Sequence, residues 1–225
     1  MKGCAMSKYF SNIIKISLLL AAAVIAKCIK ISFMVGSGYA FFSGMNVVTP
    51  LFGSLGGALG LLLLFVFKIS MFSSKSFSTF SFLAHLVPGM ASSLYWVTES
   101  KWMRLFLPTG CMAAFIVHPV GMKAFVYSLY WLIPVAIYLS KRNNLFLHAL
   151  ASTFVAHAVG SVIWLYTVPM TVEAWHALIP VVAVERLLFS SAIVIVHTIG
   201  QLICSCLDNY SSNKGKIVKL DSQKV

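Results

Sequence analysis

Acidic residues are scarce: Asp and Glu number 5 in a chain of 225, against 17 Lys and Arg. Charged residues make up only 10% of the chain and apolar residues 60%. Soluble domains carry roughly 25% charged residues, so a water-soluble globular enzyme is excluded. Intrinsic disorder needs low hydrophobicity and is excluded as well. No Walker A loop is present; the only Gly-Lys pair is Gly215-Lys216, so the chain does not hydrolyse ATP by that route. No G-x-S triplet occurs, which removes a nucleophile elbow and a rhomboid-like serine motif. H-E-x-x-H is missing and no two histidines are three or four apart, so a helical zinc site is unsupported. Cys4, Cys28, Cys111, Cys204 and Cys206 are scattered beside apolar runs, with no disulfide framework and no CxxC pair. The chain is expected to carry no catalytic activity, metal or cofactor.

What is present is a series of apolar runs. At roughly 20 residues per crossing, the length suffices for about six spans with short loops. The runs fall near Ile13 to Val35, Val47 to Ile69, Leu105 to Val117, Ala124 to Leu139, Leu145 to Val168 and Ala177 to Leu207. The first is read as an uncleaved helix that continues past Lys27 and Lys30. Gly36 to Asn46 reads as a loop that folds back, and Ser70 to Phe80 as a polar loop. An additional segment, Ser81 to Val97, is interrupted by Pro88-Gly89 and reads as a short span or a re-entrant pair of half-helices. The predicted fold class is all-α: a polytopic membrane bundle of six helices plus this short or re-entrant segment. Residues 1–207 form a single transmembrane domain, and residues 208–225 a polar, basic cytoplasmic tail without regular structure.

The net charge of +12 is carried mostly at the ends of the apolar runs. That placement matches membrane orientation by the positive-inside rule and not a nucleic-acid groove. With six crossings, Lys2, Lys8, Lys68, Lys75, Lys101, Arg104, Lys141, Arg142 and the basic tail share one side. The expected location is the cell (inner) membrane, multi-pass, with both termini cytoplasmic.

Polar groups at membrane depth are costly and are functional candidates by default. Thr153, His157, Ser161 and Trp164 follow steps of four, four and three, which puts them on one helical face. His157 and Trp164 either line a solute cavity, or the histidine is buried and satisfied by a neighbouring span. Ser152, Ala156 and Gly160 form an adjacent small stripe suited to close helix packing. Gly53 with Gly57, and Gly56 with Gly60, offer the same device in the second run. Glu185-Arg186 is the one acid–base pair inside an apolar run. Neighbours on a helix point about 100° apart, so the two need not pair with each other. They meet a solute, or they neutralise partners on other helices. Glu173, Trp175 and His176 form a rim or lid, or an ordinary interfacial aromatic belt. His118, in the tight turn His118-Pro119-Val120-Gly121, is a weaker site candidate.

Small size, six hydrophobic runs and the missing ATPase motif resemble the substrate-binding S component of an energy-coupling factor (ECF) transporter. Ala22 and Ala26, on an Ala-rich first helix, resemble the alanine face that docks the transmembrane coupling subunit in that family. Phe41 to Asn46 and the Gly-rich Pro50 to Ala58 resemble its first outer loop and second helix. The resemblance implies capture of a vitamin-like micronutrient, with ATP hydrolysis by partner ATPase subunits bound through the coupling subunit. By region, it places the binding site at Tyr39, Asn46, His157, Trp164, Glu173, Glu185 and Arg186. The implied partners are a small-molecule solute, those subunits and the bilayer, without nucleic acid. The alternative is an intramembrane enzyme, such as a lipid-modifying transferase using a His/Glu pair, with His157 or His118 as base beside Glu185. A ligand-free assembly factor is the third reading.

Overall fold

A computed structural model describes residues 2–35, 38–73, 79–142 and 144–222. The chain begins with α1 (Lys2–Cys28), followed by a two-stranded antiparallel hairpin, β1 (Lys30–Val35) and β2 (Gly38–Ser43). Then come α2 (Met45–Ser73) and α3 (Thr79–Val97). A π-helical turn (Trp102–Phe106) leads into α4 (Leu107–Val117), and short helices α5 (Pro119–Lys123) and α6 (Phe125–Ser128) follow. A 3-10 turn (Leu129–Trp131) joins α6 to α7 (Leu132–Leu139), and α8 (Leu145–Thr167) and α9 (Val172–Ser222) complete the chain. The architecture is helical, as the apolar runs require. Three stretches are long and apolar enough to cross a bilayer, as in a membrane protein: Met45–Ser70, Leu145–Thr167 and Val172–Cys206. Shorter apolar helices cover Ser17–Cys28, Trp102–Val117 and Phe125–Leu139.

Several boundaries differ from the sequence reading. The first helix ends at Cys28, and the residues expected to prolong it form β1. The reason is local: Ile31, Phe33 and Val35 recur at period two, and β-branched and aromatic residues favour extended backbone. The loop expected at Gly36 to Asn46 supplies β2 and returns the chain to α1, where the Gly44 N–H donates to the Ile29 carbonyl at 2.9 Å. Pro88-Gly89 does not split its segment; α3 runs through it as one helix. The break falls in α2 instead, at Gly57, with φ 56° and ψ −143°. Only glycine adopts that backbone without strain, so Gly57 divides the Gly-rich helix into two helical pieces. The tail is also ordered into helix, since α9 continues to Ser222.

α8 packs against α3, α4, α7 and α9. Its start is fixed by Asn144, whose side-chain oxygen accepts from the Phe146 and Leu147 N–H groups at 2.8 and 3.3 Å. Its end comes at extended Val168, ahead of Pro169. α3 packs on its small stripe: the Trp96 indole donates to Ser152 Oγ at 3.1 Å, and a methyl group added at Gly160 would meet Pro88. α3 lies closer still to α2, because a side chain at Gly53 would collide with the Ser93 carbonyl. A first core patch joins α1, α2 and α9 through Ala23, Ala26, Leu51, Phe52 and Ile193. A second joins α4, α6, α8 and α9, and it builds the site below.

Candidate functional site

The helical face predicted on α8 turns inward over most of its length. Thr153 and Ser161 are buried, and His157 between them is half-buried. Each meets a partner from another helix. Tyr127 Oη, on α6, lies 2.8 Å from His157 Nε2 and 3.2 Å from Ser161 Oγ. One phenol thus joins two turns of α8. Thr153 Oγ1 lies 3.4 Å from Ser190 Oγ on α9, and its carbonyl accepts from Arg186 Nη1 at 3.3 Å.

Glu185 and Arg186 are buried in α9, at 2% and 7% exposure. Despite their angular separation they pair with each other, Arg186 Nη2 to Glu185 Oε1 at 2.7 Å. The guanidinium also sits over the Phe189 ring, 5.1 Å from its centroid. Both charges lie within electrostatic reach of Tyr127, and Arg186 within reach of His157. The His157 and Glu185 groups therefore belong to one polar region between α6, α8 and α9.

An aromatic box borders that region. Phe115, Tyr127, Trp131 and Trp175 pack mostly edge to face, with centroids 4.8 to 6.3 Å apart. Trp131 and Trp175 are almost fully buried, yet their indole N–H groups have no hydrogen-bond partner. Arg186 Nε is in the same position, and Glu185 Oε1 holds its ion pair without a well-directed hydrogen bond. Buried donors are almost always paired, so the three N–H groups of Trp131, Trp175 and Arg186 need an explanation.

The remaining sequence-predicted site residues lie elsewhere. Trp164 stands about 60° around the helix from Ser161 and is 45% exposed, near the end of α8. Glu173 and His176 are exposed at the start of α9, and Asn46 is exposed at the start of α2. Trp175, expected at the interface or rim, is instead inside the aromatic box. The side chain of Tyr39 lies outside the described residues. Ala26 is buried in the chain's own core, and Ala22 packs against the same cluster. His118 serves as a cap, its Nδ1 accepting from the Val120 N–H at 3.3 Å, with Tyr166 edge-on at 5.1 Å.

Tyr127 and Trp131 were not anticipated. They sit where the helix is broken into short pieces, so no periodic face marks them; their spacing of four was the available signal. A second polar cluster was also missed. His197 Nδ1 lies 3.1 Å from Ser54 Oγ, and Trp96 stands between His197 and His148 at 5.3 and 4.3 Å. Its members come from four helices, and pairing across helices leaves no local pattern. Comparison with family models, with curated proteins and with solved structures returns no match.

Proposed function

We propose that this chain is the solute-binding membrane subunit of a micronutrient uptake transporter, with ATP hydrolysis supplied by partner subunits. The observation that carries the reading is the Glu185–Arg186 pair, buried beside the aromatic box with hydrogen-bonding capacity left over. A planar, vitamin-like solute would use such a region fully. Its ring packs on aromatic faces, and its edge atoms take up the arginine, indole and carboxylate groups. The sequence's resemblance to ECF S components supports the same conclusion. In this reading the three long and three shorter apolar helices make six crossings of the cell membrane, with both termini cytoplasmic and α3 as the additional segment.

The alternative of a His/Glu catalytic pair is less well supported. The His157 imidazole is engaged by Tyr127, and the Glu185 carboxylate is engaged by Arg186. A carboxylate held by a guanidinium is a poor base.

Native mass spectrometry of the detergent-purified chain, with metabolite extraction from the same sample, tests the proposal. The expected result is a stoichiometric small molecule that is lost in Arg186→Ala. A chain that is empty and also purifies without coupling or ATPase subunits would overturn it.

A further inference from the structure

A second site lies at the other end of α8, and it rests on residues the solute-binding reading does not use. His148 is nine residues before His157, about 13 Å down the helix at 1.5 Å per residue. Its ring packs edge-on against Tyr95 at 5.0 Å. The Arg104 guanidinium, from the π-helical turn, covers the same Tyr95 ring at 5.1 Å. One tyrosine thus holds an arginine and a histidine together, where α3 ends and α8 begins.

Both groups have a buried nitrogen without a hydrogen-bond partner: Arg104 Nε and His148 Nε2. The arginine nitrogen is a donor. In the neutral histidine tautomer that carries its proton on Nδ1, Nε2 is a free acceptor. Donor and acceptor therefore stand beside one aromatic ring. Glu99 Oε1 lies 3.9 Å from Arg104 Nη2, and that carboxylate is 93% exposed, so solvent screens the pair. Lys101, three residues before Arg104, and Lys141 and Arg142, just before the start of α8, are exposed. Trp102 is 67% exposed and lies against Phe106 at 4.6 Å, in the manner of an interfacial aromatic pair.

We propose that Arg104 and His148 form a binding site for a hydroxylated phosphate group, presented by the headgroup of an anionic phospholipid. A phosphate oxygen accepts from Arg104 Nε–H, and the neighbouring hydroxyl donates to His148 Nε2. The basic rim attracts the anionic leaflet, and Trp102 with Phe106 enters the headgroup layer.

The test measures lipids retained by the full-length chain in native mass spectrometry, after exposure to mixed micelles of phosphatidylglycerol and phosphatidylcholine. Phosphatidylglycerol is expected to be preferred roughly tenfold, the value of one charge-assisted hydrogen bond. Arg104→Gln removes the preference, whereas Lys141→Gln leaves most of it. His148→Phe keeps the ring against Tyr95, and lowers phosphatidylglycerol to the level of phosphatidylmethanol, which has the phosphate without the hydroxyl. Displacement of the lipid by glycerol 3-phosphate would support the site and assign it to a soluble source. Equal retention of phosphatidylglycerol and phosphatidylcholine by the wild-type chain would overturn the proposal, whatever the variants do. So would an unchanged preference in both Arg104→Gln and His148→Phe. Failure here leaves the solute-binding proposal standing, because no residue is shared.

Discussion

Arg186 reaches back to its own sequence neighbour, setting Nη2 2.7 Å from Glu185 Oε1, and it does so inside the bundle. Two adjacent helical residues diverge by about 100°, so the contact depends on the length and fork of the arginine side chain. The same guanidinium donates to the Thr153 carbonyl of α8. The pair is therefore internally neutral and ties α8 and α9 together. Removing one member leaves a bare charge at membrane depth. Glu185→Gln and Arg186→Met are each expected to cost about 3–5 kcal/mol, and the double variant less than their sum. Unfolding in detergent, run as a double-mutant cycle, measures the coupling; strictly additive losses would mean that the two residues act independently.

The Tyr127 hydroxyl touches both His157 and Ser161. Tyr127→Phe keeps the ring in its aromatic box and deletes only this junction. A loss of about 1–3 kcal/mol is expected from leaving the histidine unpartnered, with weaker retention of any co-purified solute. Ser161→Ala removes the longer of the two contacts and is expected to cost less. Melting temperatures of the three proteins order these effects, and Ser161→Ala falling below Tyr127→Phe would contradict the assignment.

The sequence made legible what repeats along one helix and concealed what is assembled between helices. Thr153, His157 and Ser161 stand at helical spacing, and the structure turns all three toward other helices. Glu185 and Arg186 drew attention because charge is costly in an apolar run. Tyr127, Trp131 and Ser190 carry no such mark; each looks ordinary in its own segment and gains its role from a partner on another element, 30 and 37 residues away for Tyr127 and Ser190 and 16 for Trp131. The fold shows the same division. The apolar runs located the helices, while the hairpin at Lys30–Ser43 was hidden because a short apolar run is consistent with either helix or strand.

Gly53 and Gly110 form a matched test of the packing. Both are helical glycines. At Gly53 an added methyl would collide with the Ser93 carbonyl of α3, whereas at Gly110 it meets nothing within 4 Å. Gly53→Ala is expected to destabilise by about 1–3 kcal/mol through overpacking. Gly110→Ala is expected to be neutral or to stabilise by up to about 1 kcal/mol, because alanine restricts the unfolded chain. Gly57→Ala also meets open space, yet its φ of 56° makes it costly for a different reason. Thermal unfolding of the three variants separates steric from conformational cost.

Trp164 and Trp175 provide the sharpest functional contrast, because sequence and structure rank them in opposite order. Helical spacing aligns Trp164 with the polar face of α8, but the side chain is 45% exposed. Trp175 precedes the last apolar run and resembles an interface anchor, but it is 2% exposed and packs on both Phe115 and Tyr127. If the region bounded by the aromatic box, Glu185 and Arg186 holds the solute, Trp175→Phe should weaken retention by roughly tenfold. That is the scale of losing one buried indole hydrogen bond and part of an aromatic surface. Trp164→Phe should change it by less than about twofold. Retention is read by native mass spectrometry against the unmodified chain, with melting temperature as the folding control. Loss of the solute in Trp164→Phe with retention in Trp175→Phe would move the site to the exposed end of α8 and away from the buried charge pair.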